Sequence, residues 1–572
     1  MKTLFVLILL ATSFMVASIA EAVEPLRHVR IEDPNSQELA LQLERQGFDV
    51  LEGSVTEDHF EIIASMGSLQ SLMDAGYAPE ILAIGRPFRE IQAERMANLS
   101  VPVGYPDFSE ILAQLSTIET NFPEICQLVD LTEFYGMPTT VEGRHLYALK
   151  ISDNVLLDED EPNFLMVSNH HAREIVTPVL ALYAIDQLTQ NYGSDPSITG
   201  IVNSNEIWIA PVWNPDGYEY VFNTDNMWRK NRHVFPSGIG VDQNRNYPQG
   251  WYSPCSGSTS PDSDIFKGLS PASEAETQTM IAWSLDRRFA KVLDYHSSGR
   301  EVLHGYACWD HPFDDYFEQK AITLATYAGY DGDHRPPSAD GEHYQWQFGA
   351  MGALAFLMET QTQFQPTYGA ALSEAALVWP GTHWLLQQAI PLRGYVTNAS
   401  NGEPLEATIS MPNVAFEHDE VGGSNTRFGR YHAFVPDGSY DAVFEVEDFE
   451  TQTIIGINVN SVFPTQLNVA MVPLVSGVAG NYPGGDGLSV VANSITGVLH
   501  YEISNASQVS IQLYDLRGAL MNTLVREYQP AGQYEVNWPR TSDKGQVMAS
   551  GMYFYRITAG DAVRSGKVVL VK

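Results

Sequence analysis

Four apolar runs in the middle of this chain each end in residues able to do chemistry. Phe164–Ser168 runs into Asn169-His170-His171-Ala172-Arg173-Glu174, and Glu206–Trp213 into Asn214-Pro215-Asp216-Gly217. Val292–Tyr295 runs into His296-Ser297, and Ala353–Met358 into Glu359. His171 and Glu174 stand three positions apart at an expected strand-to-helix turn, a spacing that can aim an imidazole nitrogen and a carboxylate at one cation. His296 would complete the two-histidine, one-carboxylate set that leaves a fourth tetrahedral position free on catalytic zinc. Taken alone the pattern is weak, because H-x-x-E is short and an acid also suits the first turn of a helix. Glu359 closes so apolar a run (ALAFLM) that burying it is costly unless something specific holds it. By themselves, Arg229 in Met227-Trp228-Arg229-Lys230 reads as part of a solvated basic face, and Asn244-Arg245-Asn246 as a turn.

These groups need a scaffold that brings distant residues together. From about Leu99–Asp107 to Gln388 strands alternate with helices, which predicts a mixed, largely parallel sheet covered by helices on both faces. Open α/β sheets gather ligands at the carboxyl ends of their strands, so the four run termini are expected to converge. Before this region, Glu24 to Glu94 reads as a small α/β unit, with an expected strand near His28–Ile31, a helical run SQELALQLERQG, an expected strand near Phe48–Leu51 and a second helical run near Ser68–Ala75. After Leu392 the helical period gives way to short alternating strands broken by Asn401-Gly402, Pro436-Asp437-Gly438 and Pro483-Gly484-Gly485. Two small β-sandwiches, split near Val475–Asp486, are expected there.

A chain of 572 residues is too long for one hydrophobic core. Its net charge of −38, from 32 basic and 70 acidic side chains, disfavours nucleic acid as a partner, since phosphate backbones are bound by neutralising Lys and Arg. Met1–Ala22 has an early Lys2, an apolar run and an Ala20-Glu21-Ala22 ending, the pattern of a cleaved secretory signal. The run is shorter than a spanning helix needs, and no other stretch is expected to cross a membrane. The three cysteines, Cys126, Cys255 and Cys308, allow at most one internal bridge, and the odd one is expected to be a buried apolar filler.

The order of motifs changes the weight of each. Asn169-His170-His171-Ala172-Arg173-Glu174, Asn214-Pro215-Asp216-Gly217-Tyr218, Met227-Trp228-Arg229-Lys230, Gly240-Val241-Asp242-Gln243-Asn244-Arg245-Asn246, His296-Ser297 and Glu359 follow one another as in the zinc carboxypeptidase A family, which the region Tyr105–Gln388 therefore resembles. The resemblance implies one zinc ion held by His171, Glu174 and His296, with Glu359 as general base and Arg229 stabilising the tetrahedral oxyanion. It also implies Arg173, Asn244, Arg245 and Ser297 as substrate-binding residues, the arginine fork gripping a terminal carboxylate. His170 is set aside as a ligand, because the family's spacing to Glu174 selects His171. The expected activity is removal of single residues from peptide and protein C-termini. Two alternatives are a peptidoglycan stem-peptide amidase and a non-catalytic surface-binding protein on a peptidase fold.

The sequence departs from that family in three places. Counting back from Glu359 to the family's mobile tyrosine lands on Pro337, with Tyr330 and Tyr344 nearby but out of step. The position at the base of the specificity pocket falls near Tyr344, with Asp340 and Glu342 close by. Cys255 resembles half of a disulfide in animal members, but Gly238 occupies the partner position, so that bridge is not expected. The resemblance further implies the arrangement 1–22 signal peptide, 23–99 pro-segment, 100–390 catalytic domain, 391–474 transthyretin-like β-sandwich and 475–572 immunoglobulin-like domain. The last segment resembles the sorting domains of bacterial type nine secretion, which implies an export machinery as partner, an extracytoplasmic location and a monomeric product.

Overall fold

The computed structural model describes residues 24–98, 104–416, 420, 422–460, 462–474, 488–493, 498–515, 518–537, 541–543, 548 and 551–570. The expected signal sequence, 1–22, lies outside them. The chain divides into two units, Met1–Leu474 and Val475–Lys572.

The first unit opens with β1 (Arg27–Glu32), α1 (Ser36–Arg45), β2 (Asp49–Leu51), β3 (His59–Ala64), α2 (Met66–Asp74), β4 (Glu80–Ile84) and α3 (Phe88–Asn98). Its four strands form an antiparallel sheet in the order β2-β3-β1-β4. Alternation along β1 (buried, intermediate, buried, intermediate, buried, exposed) seats Val29 and Ile31 against Leu39, Leu43, Phe60 and Ile62 in a core of their own. The two strands and two helices expected from sequence agree with β1, α1, β2 and α2 to within about two residues, whereas β3, β4 and α3 were not expected.

The next domain is built on eight strands: β5 (Cys126–Asp130), β6 (Tyr147–Ile151), β7 (Asn163–Ser168), β8 (Glu206–Ala210), then, after a small hairpin of β9 (Val234–Phe235) and β10 (Gly238–Ile239), β11 (Lys291–His296), β12 (Glu301–Leu303), β13 (His334–Arg335) and β14 (Leu354–Glu359). The sheet order is β13-β12-β14-β11-β7-β8-β6-β5. The centre, β14-β11-β7-β8, is parallel throughout, and antiparallel pairs flank it at β12-β14 and β6-β8, so the sheet is mixed with a parallel middle. The central strands are buried on both faces, every residue of β7, β8 and β11 being buried, which is why they read as largely apolar runs, with Asp294 the exception inside β11. Helices α4 (Phe108–Asn121), α5 (Leu131–Phe134), α6 (Val176–Asn191), α7 (Pro196–Val202), α8 (Pro215–Asn223), α9 (Ala275–Arg287), α10 (Asp314–Tyr327), α11 (His343–Met351) and α12 (Tyr368–Leu386) join and cover them.

From Leu392 the regular elements among the described residues are all β-strands. Leu392–Asn398 pairs with Arg430–Ala433, Thr465–Gln466 and Val469–Met471, and a second sheet joins Gly422–Gly423, Thr408–Ser410, Gly438–Glu445 and Gln452–Val459. Val396, Tyr431, Phe444 and Met471 lie between them. The second unit has its own core of Leu499, Ile503, Val509, Ile511, Leu513 and Ile557, between a sheet of Leu488–Asn493, Val498–Ile503 and Gly532–Asn537 and one of Leu520–Gln529, Ser507–Tyr514, Gly551–Ala559 and Ala562–Leu570.

Cys126 is a buried free thiol, the apolar filler expected of the odd cysteine. The one bridge that the count allowed joins Cys255 to Cys308, a pairing the sequence did not indicate. Gly238 cannot take part, and a Cβ there would meet Pro261 O at 2.1 Å. Asp340 helps bring the two half-cystines together, its N–H donating to Cys255 O at 3.2 Å and its carboxylate accepting from Ala307 N at 2.8 Å. The bridge closes a separation of 53 residues, and cross-links of that span typically contribute about 2–4 kcal/mol. A Cys255→Ser, Cys308→Ser variant is expected to lose that much stability in denaturant titration, and strong reductant should lower wild type to the same midpoint.

Candidate active site

β7 ends in a turn whose first residue, Asn169, has φ of 62°, a left-handed conformation asparagine tolerates better than most residues. Its side-chain amide donates to the carbonyls of His171, Ala172 and Glu174 at 3.1, 3.3 and 3.4 Å, winding the loop round itself. Asn214, after β8, caps α8 by accepting from Gly217 N at 3.0 Å and donates to His170 O at 3.1 Å. Ala172 N donates to Arg229 O at 2.9 Å. Thus three motifs distant in sequence are laced into one wall.

The three expected ligands meet there. His171 Nδ1 lies 2.7 Å from Glu174 Oε1 and 3.1 Å from His296 Nδ1, and His296 Nδ1 is 3.2 Å from Glu174 Oε2. The far nitrogen of each ring faces an acid: His171 Nε2 is 3.2 Å from Asp242 Oδ1, and His296 Nε2 is 3.3 Å from Asp294 Oδ1. Asp242 accepts from His171 and so holds that ring's proton on the Nε2 side, as carboxylates behind metal-bound histidines do, whereas Asp294 lies within ion-pair range of His296 Nε2 without hydrogen-bonding it. The two Nδ1 atoms and the Glu174 carboxylate face one point, a donor set that fits a divalent cation and zinc in particular. Burial pushes the Glu174 carboxyl up, but the two imidazoles outweigh it and hold it well below the ordinary range. His170 is not part of this set; its ring bonds to Asp294 and to Tyr247 OH, each at 3.1 Å.

Glu359 follows from the strand register. β11 and β14 pair in parallel with His296 opposite Glu359, so the acid emerges beside the donor set. Its Oε2 is buried with no hydrogen-bond partner, and burial, with Glu174 nearby, pushes its carboxyl up to about 8. Arg229 is fixed by Asp242, Nε donating at 2.9 Å and Nη2 lying 2.8 Å away. Arg245 donates to Glu342 Oε1 at 2.7 Å, and Asn244 accepts from His343 N at 2.9 Å. Ser297 N donates to Glu174 Oε2 at 3.2 Å, while its hydroxyl is buried and unpartnered. All nine residues picked out in the sequence, His171, Arg173, Glu174, Arg229, Asn244, Arg245, His296, Ser297 and Glu359, line one cleft.

The same cleft is lined from the other side by the N-terminal unit, through Glu44, Phe48, Asp49, Val50, Leu51 and Glu52. Asp49 is buried and receives both terminal nitrogens of Arg173, one at 2.8 Å, with Arg229 Nη1 3.5 Å away. The two guanidiniums outweigh the upward push of burial and keep its carboxyl below the usual range.

Three residues with a part in this site were not singled out from sequence. Asp242 and Asp294 stand behind the histidines. Asp294 was detectable as an acid inside the apolar strand KVLDYH, two residues before His296 and so on the same face. Asp49 gave no signal, because nothing local distinguishes it from a strand-start acid. Neither tyrosine near the gap in the family pattern reaches the cleft: Tyr330 OH donates to Glu374 at 2.8 Å and Tyr344 OH to Gly305 O at 3.1 Å, both buried. Of the acids near the pocket position, Glu342 lines the cleft, whereas Asp340 is turned toward Ser253, Ala307 and Gln345.

This fold, a mixed sheet whose parallel centre carries a histidine-carboxylate-histidine set, is that of the zinc carboxypeptidases, and residues 111–371 match the model of the family described as zinc carboxypeptidase. Among similar proteins are a zinc carboxypeptidase of Saccharothrix mutabilis subsp. capreolus, 33% identical over 38% of this chain and 51% of that protein, and carboxypeptidase A2 of Rattus norvegicus, 28% identical over 49% and 61%. The chain thus spans about half the length of the curated relatives it matches. The crystal structure of carboxypeptidase A from Helicoverpa armigera is similar in fold, with a TM-score of 0.52, 21% identity and coverage of 63% of this chain and 96% of that one. Residues 493–562 match a FlgD Ig-like domain model. Among the described residues no helix is long and apolar enough to cross a membrane.

If Asp242 and Asp294 orient the rings, Asp242→Ala and Asp294→Ala are each expected to weaken zinc binding by about 10–100-fold, measured by competition with a chromophoric chelator. Unchanged affinity would mean that the two acids only pack.

Proposed function

We propose that the chain is a zinc-dependent carboxypeptidase that hydrolyses the C-terminal peptide bond of peptides and proteins. The observation that carries this reading is the meeting of His171, Glu174 and His296 one strand-pairing step from Glu359, in a cleft walled by Arg173, Arg229 and Arg245. Zinc bound to the three donors would polarise the scissile carbonyl and acidify a water. Glu359 accepts a proton from the attacking water at its carboxylate and passes it to the leaving nitrogen, a task suited to an acid whose proton affinity is raised by burial. Arg229, held still by Asp242, faces the charge that develops on the carbonyl oxygen. Arg245, Asn244 and Arg173 take the terminal carboxylate, with Ser297 beside them. An internal bond brings no carboxylate to that place, so cleavage is confined to chain ends.

Glu342 bears on the terminal residue. Burial pushes the Glu342 carboxyl up to about 7 despite Arg245, so once Arg245 is shared with a substrate carboxylate Glu342 stays ionised only beside a new cation, which a Lys or Arg side chain would supply and a Phe would not. Peptides ending in Lys or Arg are therefore the proposed preferred substrates.

Residues 23–99 act in this reading as a pro-segment. Asp49 holds the arginines that a substrate needs, and the segment is fastened around the cleft by Leu26 N to Asp225 at 2.8 Å, Arg86 N to Asn226 at 3.0 Å and Arg95 to Gln365 O at 2.9 Å. Gly53 sits so close to the cleft that a Cβ there would lie 2.6 Å from Ser298 O. Export is supported by the signal pattern at 1–22 and by the Cys255–Cys308 disulfide, a bond of oxidising compartments. The domain at 391–474 is proposed as transthyretin-like and that at 475–572 as an immunoglobulin-like sorting domain read by an export machinery, with a monomeric product.

The chain from Val23, freed of its pro-segment by trace trypsin, should shorten test peptides by one C-terminal residue at a time, fastest from Lys or Arg ends. A chelator should stop this and zinc restore it, and Glu359→Gln should bind zinc without turning over. Intact peptides from a zinc-loaded chain would sink the carboxypeptidase reading. In the uncut chain, Asp49→Ala is expected to raise peptide hydrolysis by about tenfold or more, the effect of roughly 1.4 kcal/mol in occupancy of the arginines; a variant as silent as uncut wild type would remove Asp49 from the blocking role.

A further inference from the structure

At the β13 edge of the eight-stranded sheet, away from the cleft donors, a second cluster of ligating groups comes together. His304 follows β12, His334 opens β13 and Glu318 projects from α10. β12 and β13 pair in parallel through Val302–His334 and Leu303–Arg335, and His304 N donates to Arg335 O at 3.3 Å, which sets the two imidazoles side by side with ring centroids 5.7 Å apart. One donor atom from each of the three residues lies within 4.8 Å of the others.

The hydrogen bonding round the cluster is incomplete in a way that points to a ligand. His304 is 6% exposed, yet neither ring nitrogen has a hydrogen-bond partner. A neutral imidazole carries one donor and one acceptor, and buried polar groups of this kind are nearly always paired. His334 Nδ1 lies 2.8 Å from Gly332 O, so Nδ1 carries the proton and donates it. That leaves the Nε2 lone pair facing Glu318 Oε1 at 3.2 Å, where a second proton or a cation must stand between them. A backbone carbonyl fixing the tautomer behind a free ring nitrogen is the arrangement found behind metal-bound histidines.

We propose that His304, Glu318 and His334 form a second divalent-metal site, one that takes zinc and clamps the two-residue edge strand β13 to β12 and α10. Two imidazoles and a carboxylate are borderline N/O ligands that select zinc over calcium or magnesium. The His334 and Glu318 side chains are 24% and 42% exposed, so a metal can enter from solvent and water can fill its remaining coordination. The site shares no residue with the cleft and does not depend on the proposed activity. Its role is structural: β13 leads into Arg335–Ser338, and Ser338 donates to Glu44 at 2.7 Å, so the clamp steadies a segment that touches the N-terminal unit.

The test is zinc stoichiometry of the full chain, by competition with a chromophoric chelator. Wild type is expected to bind two zinc ions, and His171→Ala one. His334→Gln is expected to bind one, with peptidase activity after tryptic removal of the N-terminal segment equal to that of wild type treated alike, and the double variant none. Cobalt added to His171→Ala should produce a visible d–d absorption that His334→Gln abolishes. Glu318→Gln, on the exposed side of α10, serves as a second variant should His334→Gln fold poorly. One zinc per wild-type chain with none in His171→Ala, or two retained in both His334→Gln and Glu318→Gln, would overturn the proposal and leave His334 and Glu318 as an ion pair.

Discussion

The parallel register of β7, β11 and β14 is the constraint on which the site depends. Pairing places Tyr295 opposite Ser168 and His296 opposite Glu359, so the carboxyl ends of three strands open on the same edge. Because side chains alternate across a sheet, a slip of one residue in β14 would turn Glu359 to the other face. Burial on both faces resists that slip, since every residue of β11 and all of β14 but Glu359 is buried. The same apolar character that makes these strands a core therefore also sets the position of their polar ends.

Charge is the second organising feature. The cleft concentrates three arginines in a chain of net charge −38, and each meets acids: Arg229 meets Asp242, Arg245 meets Glu342, and Arg173 meets Asp49. Asp242 and Glu342 belong to the same domain as the arginines they hold, whereas Asp49 comes from the N-terminal unit. In the proposed pro-segment reading, Arg173 becomes available to another carboxylate once residues 23–99 are removed. Breaking a buried pair by removing one partner is strongly unfavourable, typically by about 3–5 kcal/mol, so in that reading an exchange of Asp49 for a substrate carboxylate would conserve what simple removal would lose.

Much of this was legible in the amino-acid order, for definite reasons. The runs ending at Ser168, His296 and Glu359 announced buried parallel strands because strands covered on both faces need apolar residues at every position. The His171–Glu174 spacing was compatible with a shared ligand point, since a tight turn can place such side chains on one side, but only the order of the motifs, through the family resemblance, singled it out. The change from helical to alternating pattern at Leu392 coincided with the onset of β-structure, and the break near Val475 with the boundary between units. Asp242, Asp294 and Asp49 were less visible, since an acid behind a ligand is recognised only by what it touches.

Local pattern indicated the strands that carry the polar run ends and the change to β-structure at Leu392, because these depend on burial period and on short-range turns, and motif order, through the family resemblance, picked out His171, Glu174 and His296, which the structure brings together. Tertiary structure decided the pairing of Cys255 with Cys308, the turning of Glu342 rather than Asp340 into the cleft, the seating of Asp49 on Arg173, and the meeting of His304, Glu318 and His334. Each of these joins side chains whose proximity is set by strand order and helix docking, and no spacing along the chain encodes that distance.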